Sequence, residues 1–330
     1  MNPGGLVAIT GADGFAGRVA SAHFRVTGRK FRGLVRALSA DTVARPDMMP
    51  VGDLTSIPDD ALANALQDVQ TVVHLAGRAH VMKETAADPG ATFRAINVAA
   101  TERLARAAAA AGVAHFVFAS SVKVNGESTP QAGAFRESDP PDPRDDYAVS
   151  KWDAECALAD VARETGMPVT VLRLPLLYGP WAKGNVARLT ETISRGVPLP
   201  LGSIDNRRSL LGAGNFVSAL DALLDRPVPA PRTVATYFVA DATPVSTPEL
   251  VRAIAAALGV LPRLIPIPAS FLRLACSLAG KADAGHRLTD SLVVDTEAFR
   301  AAFGWRPPRA MAEELADMVR AQGHMASAPL

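Results

Sequence analysis

Leu6-Val-Ala-Ile-Thr-Gly-Ala-Asp-Gly-Phe-Ala-Gly17 places an apolar, β-branched run directly before three glycines spaced three residues apart. The run reads as a buried strand and the residues from Arg18 onward as a helix. Gly11, Gly14 and Gly17 allow a tight turn and a close backbone approach to an anion. The helix N-terminus behind them offers free N–H groups and the positive end of its dipole. An ordinary strand-to-helix turn also tolerates such glycines. The position between strand and helix favours a dinucleotide pyrophosphate, with Gly11, Asp13, Gly14, Phe15, Ala16 and Gly17 as candidate contacts.

Working outward, Phe31–Val35, Thr71–Leu75, His115–Ala119 and Val169–Arg173 repeat the short apolar pattern. Arg18–Thr27, Ala61–Leu66, Ala91–Gly112 and Tyr147–Gly166 lie between the strands and read as helices. Near-continuous apolar strands separated by helices predict an α/β, Rossmann-type, doubly wound parallel sheet with ligands at the strands' carboxyl ends. This dinucleotide-binding domain spans residues 1–175. Residues 176–330 form mainly a smaller C-terminal α/β substrate-binding domain, from which about 211–243 return to the first. Gly184 to Gly214 is a polar, glycine-containing stretch, followed by a helix near Phe216–Leu224 and a late strand, Tyr237–Ala240. Thr247-Pro248-Glu249 reads as a cap residue, a first-turn proline and an acid opening a further helix.

Composition excludes several classes. Hydrophobic residues make up 48% and charged residues 20%, and the formal net charge is +1, so neither a nucleic-acid-binding nor an acidic-membrane-binding surface is expected. Cys156 and Cys276 match no zinc or redox spacing, and no metal is expected. The absence of a signal-peptide pattern fits a cytoplasmic protein. The apolar stretch Leu261–Ala279 is broken by Pro262, Pro266, Pro268, Arg263 and Arg273, so no membrane span is expected. Between an exposed apolar helix near Phe271–Leu278 and burial in a core or interface, burial is the expectation.

Arg36 stands just past the second strand, where an acid would bind ribose hydroxyls and favour NAD. A guanidinium there can read a 2′-phosphate, which tilts the cofactor toward NADP(H) over NAD(H). A solvated surface arginine is the alternative. Asp53, followed by Leu54, could bond adenine or serve as a turn residue. Tyr147 and Lys151 are four residues apart on one helical face. A phenol with a pKa near 10 is a poor base, and a neighbouring ammonium lowers it toward use as a general acid/base. Ser121, at the end of the fifth strand, could orient the same substrate oxygen.

Thr10–Gly17, His74-Leu-Ala-Gly77, Asn97, Ser120-Ser121, Tyr147–Lys151, Leu172–Pro175 with Tyr178-Gly-Pro180, and Phe303–Pro307 together resemble the extended short-chain dehydrogenase/reductase family, of NAD-dependent epimerase/dehydratase type. The resemblance covers nearly the whole chain. It implies Ser121, Tyr147 and Lys151 as the catalytic set, with Asn97 holding the lysine through a water. Leu75, Ala76 and Gly77 would line the cofactor and Pro175 would sit beside the nicotinamide. A homodimer built through the helices starting at Ala99 and Tyr147 is a further implication.

The substrate implied is a nucleotide sugar, UDP-linked, with His80, Ser121, Lys123, Tyr147, Asn185 and Arg208 as its contacts. His80 and Lys83 have a solvated loop as the alternative, and Arg207-Arg208 a surface role. Ser121-Val122-Lys123 replaces the Thr-Asp-Glu of 4,6-dehydratases, which argues against dehydration. Val124-Asn125-Gly126 lacks the tyrosine of many 4-epimerases and leaves epimerisation open. Gly212-Ala-Gly-Asn215 departs from the bulkier pattern of relatives, so its loop geometry is open as well. The expectation is NAD(P)H-dependent reduction of a UDP-4-keto-6-deoxy-N-acetylhexosamine in surface-polysaccharide biosynthesis. The alternatives are a UDP-sugar 4-epimerase with retained NAD, and a non-catalytic dinucleotide-sensing regulator.

Overall fold

The apolar runs form strands and the alanine-rich segments between them form helices. The protein is seen in a computed structural model that describes residues 5–39, 45–79, 88–130, 133–182, 184–280 and 282–326. The chain begins β1 (Leu6–Thr10), α1 (Phe15–Thr27), β2 (Phe31–Val35), β3 (Met48–Pro50), α2 (Asp59–Ala65) and β4 (Val69–His74). Next, α3 (Pro89–Phe93) passes through a π-helical segment, Arg94–Ala99, into α4 (Ala100–Ala110). Then come β5 (His115–Ser121), α5 (Asp146–Thr165), β6 (Val169–Leu174), β7 (Leu176–Tyr178), α6 (Asn185–Ser194) and β8 (Leu210–Gly212). They are followed by α7 (Ala213–Leu224), β9 (Val234–Phe238), α8 (Thr247–Leu258) and α9 (Ala269–Leu278). The chain closes with α10 (Ala282–Thr289), α11 (Glu297–Phe303) and α12 (Met311–Ala326).

The chain divides into two units. The first comprises Met1–Asn125, Pro140–Leu174 and Leu220–Phe238; the second comprises Gly126–Asp139, Pro175–Ala219 and Val239–Leu330. In the first, seven strands form one parallel sheet in the order β3-β2-β1-β4-β5-β6-β9. The order reverses between β1 and β4, and at such a switch point the strand ends leave a crevice for ligand. Its core joins Leu34, Val72, Phe116, Phe118 and Val171 of the sheet to Leu104, Leu158 and Val161 of the helices. Helix α5 starts where the Asp145 carboxylate accepts from Ala148 N at 2.7 Å and stops at Gly166, whose φ is 83°. Aspartate caps and left-handed glycines end helices for the same reason, by satisfying orphan backbone groups.

In the second unit β7 and β8 pair in parallel. The loop whose geometry the sequence left open, Gly212–Asn215, has a clear cause. Glu314, from α12, accepts from Gly214 N and Asn215 N at 3.0 Å each. A Cβ on Gly212 would lie 2.5 Å from Glu314 Cγ.

Several expectations are corrected. The polar stretch after Gly184 contains α6, whose buried Val186, Thr190 and Ile193 recur at helical spacing. The late strand is Val234–Phe238, earlier than Tyr237–Ala240. The cap of α8 is Ser246, which exchanges a capping box with Glu249, so Thr247 is the first helical residue. The continuous helix expected over Ala91–Gly112 widens into the π turn. Finally, α9 contributes no fully buried residue, so of the core or interface burial expected of it the core half is corrected.

Candidate active site

The loop after β1 closes against the loop after β4. Gly11 has φ 63°, and a Cβ on it would lie 2.8 Å from Ala76 N and Cα. A Cβ on Gly17 would come 2.1 Å from the Gly11 carbonyl oxygen, so the first turn of α1 can pass this loop only with a glycine there. Gly14 is the N-cap of α1, with no side-chain cap and no acid in the first turn. Arg18 adds a positive charge, its Nε donating to Asp13 O at 2.9 Å. A bare helix start in a cradle that any Cβ would fill fits the pyrophosphate of a dinucleotide.

The rim of the adenosine side is less decided. Arg36 is exposed at the end of β2. Its charge is among the influences that hold the Asp53 carboxyl below the usual range, after hydrogen bonds from Thr55 N and Thr55 Oγ1, each 2.8 Å. Asp53 is therefore engaged as a turn residue, and Leu54 beside it is half-buried.

At the centre, Thr10 and His74 lock the ends of β1 and β4. Thr10 Oγ1 accepts from Ala76 N at 3.1 Å and contacts His74 Nδ1 at 2.6 Å. In one consistent arrangement the Thr10 hydroxyl donates its proton to Nδ1. The Nε2–H tautomer then donates to Thr101 Oγ1 at 2.8 Å. Burial, with Lys151 nearby, drives the His74 pKa down to about 3, so the ring is a neutral strut. Leu75 and Ala76 follow half-buried, and Gly77 is exposed.

Tyr147 stands in the first turn of α5 and Lys151 one turn on. The phenol is hydrogen-bonded to Ser121, and its ring meets the edge of Phe93 with centroids 6.2 Å apart. Lys151 Nζ donates to Ala119 O at 2.9 Å and lies 4.5 Å from the centre of the Phe118 ring. Burial lowers its pKa to about 8, partly opposed by Glu155. Contrary to the expectation that the lysine depresses the phenol, Tyr147 is pushed up to about 12. Burial is the main cause; the Ser121 bond works against it and Asp145 adds to it. The ammonium is directed at the Ala119 carbonyl and the Phe118 face, which accounts for the difference.

Asn97 sits inside the π turn, a widened geometry frequent at functional sites. Its Oδ1 accepts from Arg78 N at 2.7 Å, and its Nδ2 donates to Arg78 O at 3.0 Å and Ser150 Oγ at 2.9 Å. It clamps the loop after Gly77 to α5. Arg78 in turn spreads over the Phe93 ring at 5.5 Å. One turn below Lys151, buried Glu155 pairs with buried Arg173, Nη2 to Oε2 at 2.6 Å. Arg173 Nη1 also donates to Asn125 Oδ1 at 2.9 Å. Sequence reasoning passed over Thr10, Glu155 and Arg173; polar residues inside otherwise apolar strands, and a glutamate four residues after the lysine, were the available signals.

The remaining predicted residues are placed as follows. Lys123 is ion-paired with Asp145, the cap of α5. Pro175 is buried and opens the second unit's central segment. Asn185 is exposed at the first position of α6. Arg208 donates from Nη1 to the carbonyls of Arg287 and Asp290, at 3.1 and 2.9 Å, and burial lowers its pKa. His80 and Lys83 lie outside the described residues.

Known proteins match this arrangement. A sequence model described as the NAD dependent epimerase/dehydratase family matches residues 7–235. A UDP-glucose 4-epimerase of Vibrio cholerae is 36% identical over 310 residues, covering 93% of this chain and 92% of that protein. An N-acetyl-alpha-D-glucosaminyl-diphospho-ditrans,octacis-undecaprenol 4-epimerase of Escherichia coli O157:H7 is 30% identical over 174 residues, 52% of this chain and 50% of that one. Among solved structures, MoeE5 in complex with UDP-glucose and NAD superposes with a TM-score of 0.76 at 27% identity, covering 98% of this chain and 100% of that chain.

Proposed function

This chain belongs to the NAD-dependent epimerase/dehydratase family, and from that premise we propose that it is a UDP-hexose 4-epimerase that keeps its NAD bound. The observation that carries the reading is the Ser121–Tyr147 hydrogen bond one helical turn from buried Lys151, at the carboxyl end of β5. Bound NAD supplies a hydride acceptor and, once reduced, a hydride donor. Tyr147 takes the proton from the C4 hydroxyl and returns it to the same oxygen after the sugar has turned its other face. Ser121 holds that oxygen within reach, and the Lys151 ammonium, turned to the Ala119 carbonyl in this structure, would stabilise the phenolate once it swings toward it. Ser121-Val122-Lys123 carries no acid for a 4,6-elimination, which keeps the chemistry at C4. Two relatives named for different sugar carriers, one uridine and one a polyprenyl diphosphate, share the 4-epimerase name. That moves the weight from the reduction expected from sequence to epimerisation.

Arg36 favours the second reading, an NADPH-dependent 4-keto reductase, because no acid stands at the end of β2 to prefer the unphosphorylated ribose. One experiment separates them. Purified protein is denatured to identify any retained nucleotide, and intact protein is incubated with UDP-glucose and UDP-N-acetylglucosamine without added cofactor. Stoichiometric NAD and formation of the galacto isomer support the epimerase. An empty protein that converts neither sugar, yet consumes NADPH with a UDP-4-keto sugar, overturns it.

A further inference from the structure

The second unit carries a surface that the reaction does not use. Half of the large hydrophobic side chains exposed among the described residues fall between Val260 and Leu278. Leu261 is 91% exposed, Leu278 81% and Phe271 66%. Phe271, Leu274 and Leu278, spaced by three and then four, share one face of α9. Leu261 and Ile265 are likewise exposed in the proline-broken segment before the helix. From Gly259 to Gly280 the sequence contains no aspartate or glutamate, while Arg263 and Arg273 are both exposed. Arg273 lies 3.8 Å from Asp290, a carboxylate that His286 also contacts at 2.9 Å. No helix among the described residues is long and apolar enough to cross a membrane.

We propose that Val260–Leu278 docks in the plane of an anionic lipid bilayer, with the apolar side chains in the headgroup–acyl boundary and Arg263 and Arg273 at the phosphates. A short helix with projecting apolar residues, cationic neighbours and no acid has the composition of an interfacial anchor. The same charge argues against a second copy as the occupant. A two-fold interface would bring the patch against itself, setting Arg263 against its own kind with no acid from the patch between them, whereas Arg273 already lies beside Asp290. The proposal stands whichever carrier bears the sugar, because it concerns a surface and not the reacting groups.

The test is co-sedimentation of the full chain with vesicles of phosphatidylcholine alone, or of phosphatidylcholine mixed with phosphatidylglycerol, alongside the mass in solution. The expected result is pelleting with the anionic vesicles, reduced by salt, and weak with neutral ones. The double variant Phe271→Asp/Leu278→Asp should lose at least about tenfold in partitioning, since it removes two large apolar anchors. Its thermal midpoint and its turnover of a water-soluble UDP-sugar should match the parent. Pelleting that is absent, or equal for parent and double variant, overturns the proposal. So does a double variant whose only change is a smaller mass in solution, which would assign the patch to a second copy.

Discussion

Helices α5 and α9 depart from the ordinary inside–outside distribution in opposite directions. Along α5, Lys151 and Glu155 are buried at 6% and 5% exposure beside Ala154 and Leu158. Along α9, Phe271, Leu274 and Leu278 face outward, Leu272 packs half-buried against the core, and no residue is fully buried. A buried charge is tolerated only when partners replace water. Each charge on α5 has them: a carbonyl and an aromatic face for Lys151, a guanidinium and the Ser120 hydroxyl for Glu155. An exposed hydrophobe needs no partner to be stable, only a reason to be kept. The first helix is organised from within; the second is explained by what lies outside it.

The largest expected effect is on α5. Tyr147→Phe should lower kcat by about 10²- to 10⁴-fold, the usual worth of a positioned acid/base, while far-ultraviolet circular dichroism stays unchanged. Full turnover in that variant would remove α5 from the chemistry. Next, Arg173→Leu leaves Glu155 buried without its counterion and should cost about 3–5 kcal/mol in urea unfolding. A loss below about 1 kcal/mol would mean that the Ser120 hydroxyl suffices as its partner.

A third prediction concerns pH. With its folded pKa lowered to about 8 from 10.5, Lys151 sheds its proton in the native state while the unfolded chain still holds one. Stability therefore rises with pH across that window. The Tyr147 phenol, pushed up to about 12 from 10.0, acts oppositely only above pH 10. Between pH 8 and 10 the parent should gain about 2 kcal/mol relative to Lys151→Met, read as the shift in denaturation midpoints. A flat difference would place the ammonium in a wetter setting. The smallest effect belongs to α9: Leu278→Ser should change unfolding free energy by no more than about 0.5 kcal/mol, whereas Leu158→Ala on α5 should cost about 2–5 kcal/mol. A large loss at Leu278 would erase the contrast between the helices.

Much of the first unit was legible because its signals are local. Glycines at 11, 14 and 17, a strand before them, and Tyr147 four residues ahead of Lys151 can be read without knowing what is distant in sequence. What escaped depends on distant partners. Asn97 was named, but its clamp on Arg78 needs the π turn, which no periodicity announces. Glu155 and Arg173 are recognisable as a pair only once α5 is laid along β6. The raised phenol follows from where Lys151 points, a matter of rotamer and burial. For α9 an exposed apolar helix was weighed and burial preferred, because hydrophobic composition is silent about which side of the surface it will occupy.

The sheet's last strand is also its latest to be made. β9 pairs with β6 along Val169–Arg173, although β7, α6, β8 and α7 are translated between them. As the chain emerges from the ribosome, β6 stands as an open edge until Val234–Phe238 arrives. An unpaired, largely apolar edge is a template for aggregation. A ribosome stalled after α6 should therefore present a nascent chain with the nucleotide cradle already formed and its far edge open to chaperones.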